Sequence, residues 1–294
     1  MSEDREAKAT VYKCLLGNGS ARAMATEATG LVRLLRQMHG LSFLATAALG
    51  RLIMASMMMA ADQKIERARV TLIIDADGPL GRVVADAEGL GKVRGYVENP
   101  QVELPLSEAS KWDVSAGVGR NGYLTVIKDL GLREPVISKI PLVSGEIAED
   151  IAYYYSKSEQ IPTAVALGVL QKPSLGVISA GDIMVQLLPG AEESFVERLE
   201  ELLRKYSSIS SLAERASSPK EMLETIFEGV DKKWLGSVSF EFGCRCSREL
   251  AKALLLSMQE SSEEEVLEVR CHFCNKVYTF TAQEIKGLKG GEED

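Results

Sequence analysis

Of the side chains in this chain that can do chemistry, the thiols are the most unevenly placed. Four of the five cysteines fall within "FGCRCSREL" and "VRCHFCNKV", as Cys244, Cys246, Cys271 and Cys274. A C-x-C and a C-x-x-C together offer four thiolates to one Zn²⁺. Zinc favours tetrahedral sulfur coordination, and four protein ligands leave no open position for catalysis. The thiolates carry more negative charge than the metal offsets. Arg245, Arg248, Arg270 and Lys276 lie beside them in sequence and can balance it, or stand as ordinary surface residues. Zinc is preferred over iron–sulfur because nothing else here points to electron transfer. His272, inside the C-x-x-C, is an alternative ligand, but four thiols leave it an exposed or supporting role. Cys14 is isolated and reads as a small buried residue.

The same spacing permits redox chemistry. A C-x-x-C closes readily into a disulfide and a C-x-C closes with some strain. Metal-held thiolates are deprotonated and can react with an oxidant. Local closure would expel the metal, and in a segment of this size metal binding supplies folding free energy on the order of 10 kcal/mol. Spacing alone supports zinc strongly and favours an inert strut over a switch.

Other chemistry has little support. The chain has 294 residues, a net charge of −8 and two histidines far apart. Its acidity makes it a poor non-specific partner for nucleic acid or an anionic membrane. No P-loop is present. The G-x-G-x-x-G at Gly117, Gly119 and Gly122 leads into the strand-like "YLTVI", so an Asn-Gly hairpin turn is expected there, not a dinucleotide fingerprint. Asp75 and Asp77 sit in a turn, where acidic residues are common. The N-terminus is charged and does not read as a secretory signal. The most apolar stretch, around "LATAALGRLIMASMMMAA", is cut by Arg51 and reads as a buried core helix, not a membrane span.

The elements that must position the thiols follow from periodicity. A strand and then a helix are expected up to Gly40, and a second helix over 42–65. Period-two alternation then gives strands from Ala68 to Pro100 and a hairpin around "GVGRNGYLTVIKDLG". A helix capped by Ser144 follows, then strands in "IPTAVALGVL" and "GVISAGDIMVQLLPG". This is an α+β class core of helices and antiparallel strands over 1–189. Residues 190–236 form a linker of short amphipathic helices. One carries the stripe Phe195, Leu199, Leu202, Leu203 and Tyr206. Another opens on Ser218 and Pro219, with Glu221 closing a capping box. Such helices are marginal unless docked. Residues 237–294 hold the thiols and are too few to bury a core without a staple.

With these segments in view, the chain resembles the heat shock protein 33 family of redox-regulated holdase chaperones. "GCRCSRE" with "VRCHFCNKVYTF" carries the likeness, and so do, in order, "VRGYVENPQVELPL", "GYLTVIKDLGLREPV", "IPLVSGEIAEDIAYYYSKSEQIPTAVALGVL" and "VQLLPGAEE". Two departures are a short gap between the cysteine pairs and the extra Cys14. The resemblance implies a cytoplasmic, ATP-independent chaperone that is not an enzyme. Its reduced form would hold one Zn²⁺ per chain on Cys244, Cys246, Cys271 and Cys274 and be inactive. Oxidation would form Cys244–Cys246 and Cys271–Cys274, release zinc, unfold the linker and produce a homodimer. The active form would hold unfolding client proteins and pass them to ATP-dependent refolding chaperones, with no nucleic acid or membrane partner. Two other readings are a constitutive zinc-ribbon module that binds nucleic acid and a thiol oxidoreductase using Cys271 and Cys274. Against the second, "NKVYTF" after the C-x-x-C alternates like a strand, where a redox pair needs a helix.

Overall fold

Alternating side chains make the first two elements strands, one more than the sequence suggests for this region. β1 (Lys8–Leu16) turns at Gly17–Gly19 into β2 (Ala21–Glu27), the two pairing antiparallel from Thr10↔Glu27 to Leu16↔Ala21. The structure is a computed structural model and describes residues 7–106, 112–206, 208–257, 266–281 and 284. Helix α1 (Thr29–His39) ends where Gly40 enters the left-handed region at φ 59°. Helix α2 (Phe43–Ala61) starts on Ser42, whose Oγ accepts the Ala45 amide at 3.0 Å. By length and composition α2 could cross a membrane even with Arg51, yet it is buried along most of its length inside the protein. Apolar residues all round a helix suit that central position.

Three strands follow as the alternation predicts, β3 (Arg69–Ala76), β4 (Val83–Glu88) and β5 (Lys92–Val97). The expected hairpin at Gly117–Gly122 is not formed. Val114–Val118 makes one turn of helix, α3, capped by Asp113, and β6 (Gly122–Asp129) pairs with β3 and with β7 (Val136–Pro141). Close approach explains the glycines: a Cβ on Gly78 would sit 2.4 Å from the Gly117 carbonyl oxygen. Ser144 is not the cap of the next helix either. Helix α4 (Ala148–Tyr154) begins after Ile147, and the buried Asp150 carboxylate accepts the amides of Val143 (2.7 Å), Ser144 (3.1 Å) and Ile147 (3.0 Å). That one acid collects the whole turn, a role its helical position does not reveal. The turn continues as a π-helix over Tyr155–Glu159.

β8 (Thr163–Lys172), β9 (Gly176–Leu187) and, later in the chain, β10 (Lys232–Phe242) complete a ten-stranded sheet in the order β7-β6-β3-β4-β5-β10-β1-β2-β9-β8. Only the short β10–β5 contact is parallel. The main core lies on the α1/α2 face. The other face of β1, β2 and β9 is covered by α5 (Glu193–Arg204), α6 (Ile209–Arg215) and α7 (Pro219–Ile226). Leu199, Leu212, Met222, Leu223 and Phe227 are buried there against Cys14, Ala23, Ala25 and Val185. Each such side chain contributes roughly 1.5–3 kcal/mol on burial, so docking, not helix propensity, holds these short helices. Two glycines make room for α6: a Cβ on Gly168 would meet Ser210 Cβ at 2.9 Å, and one on Gly181 would meet Ala213 Cβ at 2.4 Å. At α7 Ser218 Oγ accepts the Glu221 amide at 3.2 Å, while the Glu221 carboxylate takes the Ser217 amide at 2.6 Å, one residue before the expected cap partner.

The chain divides into two compact units, 1–242 and 243–294. Residues 237–242 lie within β10, paired with β1 and β5, and so belong to the sheet of the first unit.

Candidate metal centre

The second unit is built around the thiols. Cys244 and Cys246 precede α8 (Arg248–Ser257), whose start is held by Ser247: its Oγ accepts the Leu250 amide at 3.2 Å. The other pair sits on the turn of a hairpin, β11 (Val266–Arg270) and β12 (Val277–Thr281), in register from Val266↔Thr281 to Arg270↔Val277. The Cys271 amide donates to the Lys276 carbonyl at 2.9 Å and the Asn275 amide to the Cys271 carbonyl at 2.8 Å. Asn275 closes this turn at φ 58°, a region asparagine tolerates better than most residues. The strand expected after Cys274 is present, and the C-x-x-C stands on a hairpin tip.

The two pairs converge. All four Sγ atoms lie within 4.8 Å of one another, with Cys244–Cys271 at 3.6 Å and Cys246–Cys274 at 3.4 Å. A tetrahedron with zinc–sulfur bonds near 2.3 Å has sulfur–sulfur edges of about 3.8 Å. The donor set and its spacing therefore fit a metal of zinc's size and softness. Among the described residues no other cluster of His, Cys, Asp and Glu side chains does so. His272 is exposed on the hairpin tip and outside the cluster.

Tyr278 is a supporting residue that the sequence reading passes over. Its hydroxyl donates to Cys246 Sγ at 3.3 Å. Burial disfavours the Cys246 thiolate, but hydrogen bonds from Tyr278 and from the neighbouring thiols outweigh it and bring the thiol down to about 7. The Tyr278 hydroxyl moves the other way, to about 12, chiefly through its bond to Cys246. Burial pushes Cys271 and Cys274 up, against backbone amides that draw them down. An aromatic residue four positions after a C-x-x-C is the only signal that could have marked Tyr278, and by itself it reads as strand packing. Of the four cations expected beside the thiols, Arg248 lies over the Phe280 ring at 4.3 Å and pairs with Glu284 at 3.0 Å. Lys276 lies 5.0 Å over Tyr278, while Arg245 and Arg270 are exposed. Little else holds the unit together. Its buried apolar side chains among the described residues are Ala251, Tyr278 and Phe280. The acidic "SSEEE" run lies outside the described residues.

The remaining candidates have structural roles. Cys14 is fully buried in β1, and burial pushes its thiol up to about 11, with Lys232 opposing, so it is an inert core residue. Asp77 accepts the Arg120 and Asn121 amides, both at 3.1 Å, and Asp75 pairs with Arg82 at 3.0 Å.

Comparison with known proteins turns this geometry into a family. A sequence profile described as Hsp33 protein matches residues 9–281. The chain belongs to the Hsp33 family. The 33 kDa chaperonin of Acetivibrio thermocellus is 43% identical over 95% of this chain and 96% of its own. That of Clostridioides difficile is 41% identical over 94% of this chain and 96% of its own. The crystal structure of the Thermotoga maritima 33 kDa chaperonin, a heat shock protein 33 homolog, superposes with a TM-score of 0.88 at 38% identity, covering 95% of this chain and 97% of that one. The mixed helix and sheet architecture is therefore that of an Hsp33 protein, and the four-cysteine cluster lies within the matched span.

Proposed function

We propose that this protein is a redox-regulated, ATP-independent holdase. The observation that carries the reading is the convergence of four sulfurs within 4.8 Å inside a unit that, among its described residues, buries three apolar side chains. Cys244, Cys246, Cys271 and Cys274 hold one Zn²⁺ in the reduced protein. The metal supplies a cross-link beyond the three side chains buried among the described residues, and Tyr278 orients Cys246 within the quartet. Under oxidation Cys244 pairs with Cys246 and Cys271 with Cys274. Each pair of zinc-held thiolates gives up two electrons to one hydrogen peroxide, which takes two protons from solvent and leaves as two waters, and the disulfide sulfurs are no longer available as ligands, so Zn²⁺ is released.

Loss of the ligands unfolds the second unit. It follows β10 directly in the chain, and β10 follows α5–α7, so a working division is core 1–189, helical linker 190–236 and thiol segment 237–294. The linker helices then leave the sheet and uncover the apolar side chains of both partners. Exposed apolar area of this kind binds unfolding proteins and a second copy of the chain. The protein works in the cytoplasm, and held clients pass to ATP-dependent refolding chaperones after reduction. Light scattering from a thermally unfolding client tests this reading. We expect suppression by peroxide-treated protein and little by the reduced, zinc-loaded form. Equal suppression by both would remove the switch.

A further inference from the structure

The last carbonyls of a helix need partners from outside its own ladder. At the end of α7 those partners come from three other elements. From α5, the Tyr206 hydroxyl donates to the Thr225 carbonyl at 3.1 Å and the Arg198 guanidinium to the Gly229 carbonyl at 2.6 Å. From β10, the Lys232 ammonium donates to the Phe227 carbonyl at 2.5 Å and to the Val230 carbonyl at 3.0 Å. From the turn between β1 and β2, the Gly17 amide donates to the Asp231 carbonyl at 3.1 Å. The same glycine seats α5, because a Cβ there would lie 2.3 Å from the Phe195 ring. The first linker helix, the last one and the start of β10 therefore meet at one place.

These bonds are unequal. The Arg198 and Tyr206 bonds are exposed, and water competes for them. The Lys232 bonds are half-buried, and an ionised donor makes each of them stronger than a neutral pair. Among the described residues the Lys232 ammonium pairs with no carboxylate, so its charge serves the carbonyl end of α7 alone. A cation is favourable at that end of a helix. Lys232 itself pairs with Leu16 of β1, so it stands on the sheet and not on the helices it holds. α5 in turn bonds to the end of α7 at two carbonyls, and whatever frees that end frees both helices.

We propose that the carbonyl end of α7 is an autoinhibitory latch, closed chiefly by Lys232, that holds α5 and α7 on the sheet as one body. It is a second lock beside the metal: opening it releases both helices while zinc stays on the thiols. The inference rests on the holdase reading for what the uncovered surface does, and it deepens that reading by naming a contact that keeps the surface shut.

The test follows amide exchange in the full-length, reduced, zinc-loaded protein. Lys232→Met keeps the apolar stem and removes the ammonium, Lys232→Arg restores a cation, and Lys233→Met removes the exposed charge beside it. We expect Lys232→Met to speed exchange about tenfold in α5 and α7 alike, through the loss of its charged hydrogen bonds. Zinc content and the exchange of the sheet amides should stay as in wild type. Lys232→Arg should recover most of the protection, and Lys233→Met should match wild type. The Lys232→Met protein should also suppress aggregation of a thermally unfolding client at a lower peroxide dose than wild type needs. Where Lys232→Met does not fold, Arg198→Met decides: it removes an exposed bond and should speed both helices about twofold. Wild-type exchange in a folded Lys232→Met protein, or faster exchange in α7 alone, overturns the latch and leaves the holdase reading standing. Oxidised wild-type protein that holds no client overturns the holdase reading, whatever exchange the variants show.

Discussion

At the scale of single residues, the thiols and one buried acid yield separate expectations. Replacing Cys271 by serine removes a ligand that ionises and leaves a hydroxyl that zinc binds poorly. We expect the variant to lose its metal to a chelator that wild type resists, and its amides beyond Gly243 to lose exchange protection while those of the sheet keep theirs. Asp182 lies fully buried in β9 beside Thr26. Burial raises its carboxyl to about 8, with the Thr26 hydroxyl and amide opposing without completing a hydrogen bond of good geometry. Between its ordinary 3.8 and about 8 the folded state holds a proton that the unfolded chain releases. Stability from this group is therefore complete below the lower value and is lost as pH rises, at up to about 1.4 kcal/mol per pH unit. Asp182→Asn should flatten that slope in denaturant titrations between pH 4 and 8; an unchanged slope would assign the titration elsewhere. The four cysteines were legible in the sequence because their spacing is itself a chemical constraint. Tyr278, Asp150 and Asp182 were not, because what they do depends on which atoms the fold brings beside them.

At the scale of elements, the docking of α6 is the sensitive contact. Gly181 has ordinary strand geometry, so only space forbids a side chain there. Gly181→Val would drive a methyl group into Ala213, which lies 2.4 Å from the position of its Cβ. Overpacking of this kind costs about 1–3 kcal/mol, and the linker helices have little stability of their own to set against it. We expect the reduced, zinc-loaded variant to bind a hydrophobic dye and to suppress client aggregation without oxidant. Unchanged dye binding would show that α6 yields without leaving the sheet. Most elements could be read in advance because alternation and helical stripes survive in one sequence, as in β3–β5, β8, β9, α2 and α5. The failures share a cause. The stretch "GVGRNGYLTVIKDLG" reads as a hairpin because Asn-Gly favours one locally, but its first residues belong to the helical turn Val114–Val118, whose close contact with Gly78 decides the shape. Ser144 has the right type for a cap and lost that role to Asp150, which binds three amides at once.

At the scale of the whole molecule, two units of unequal self-sufficiency share one chain. The first carries a ten-stranded sheet with cores on both faces, and the second has, among its described residues, four clustered thiols and three buried apolar side chains. On the proposed switch the metal holds the second unit directly and the docking of α5–α7 through it, so chelation should melt residues 243–294 and loosen the linker helices while the ladders of the sheet stay paired. The family was readable from ordered sequence segments, and nothing in composition or periodicity alone pointed to a chaperone. Peroxide titration of the reduced protein, with released zinc, remaining thiols and client-holding activity measured at every step, bears most directly on the proposed switch. We expect four thiols and one zinc to be lost per chain as activity rises in proportion. Full activity with the metal still bound, or complete metal loss with no activity, would contradict it.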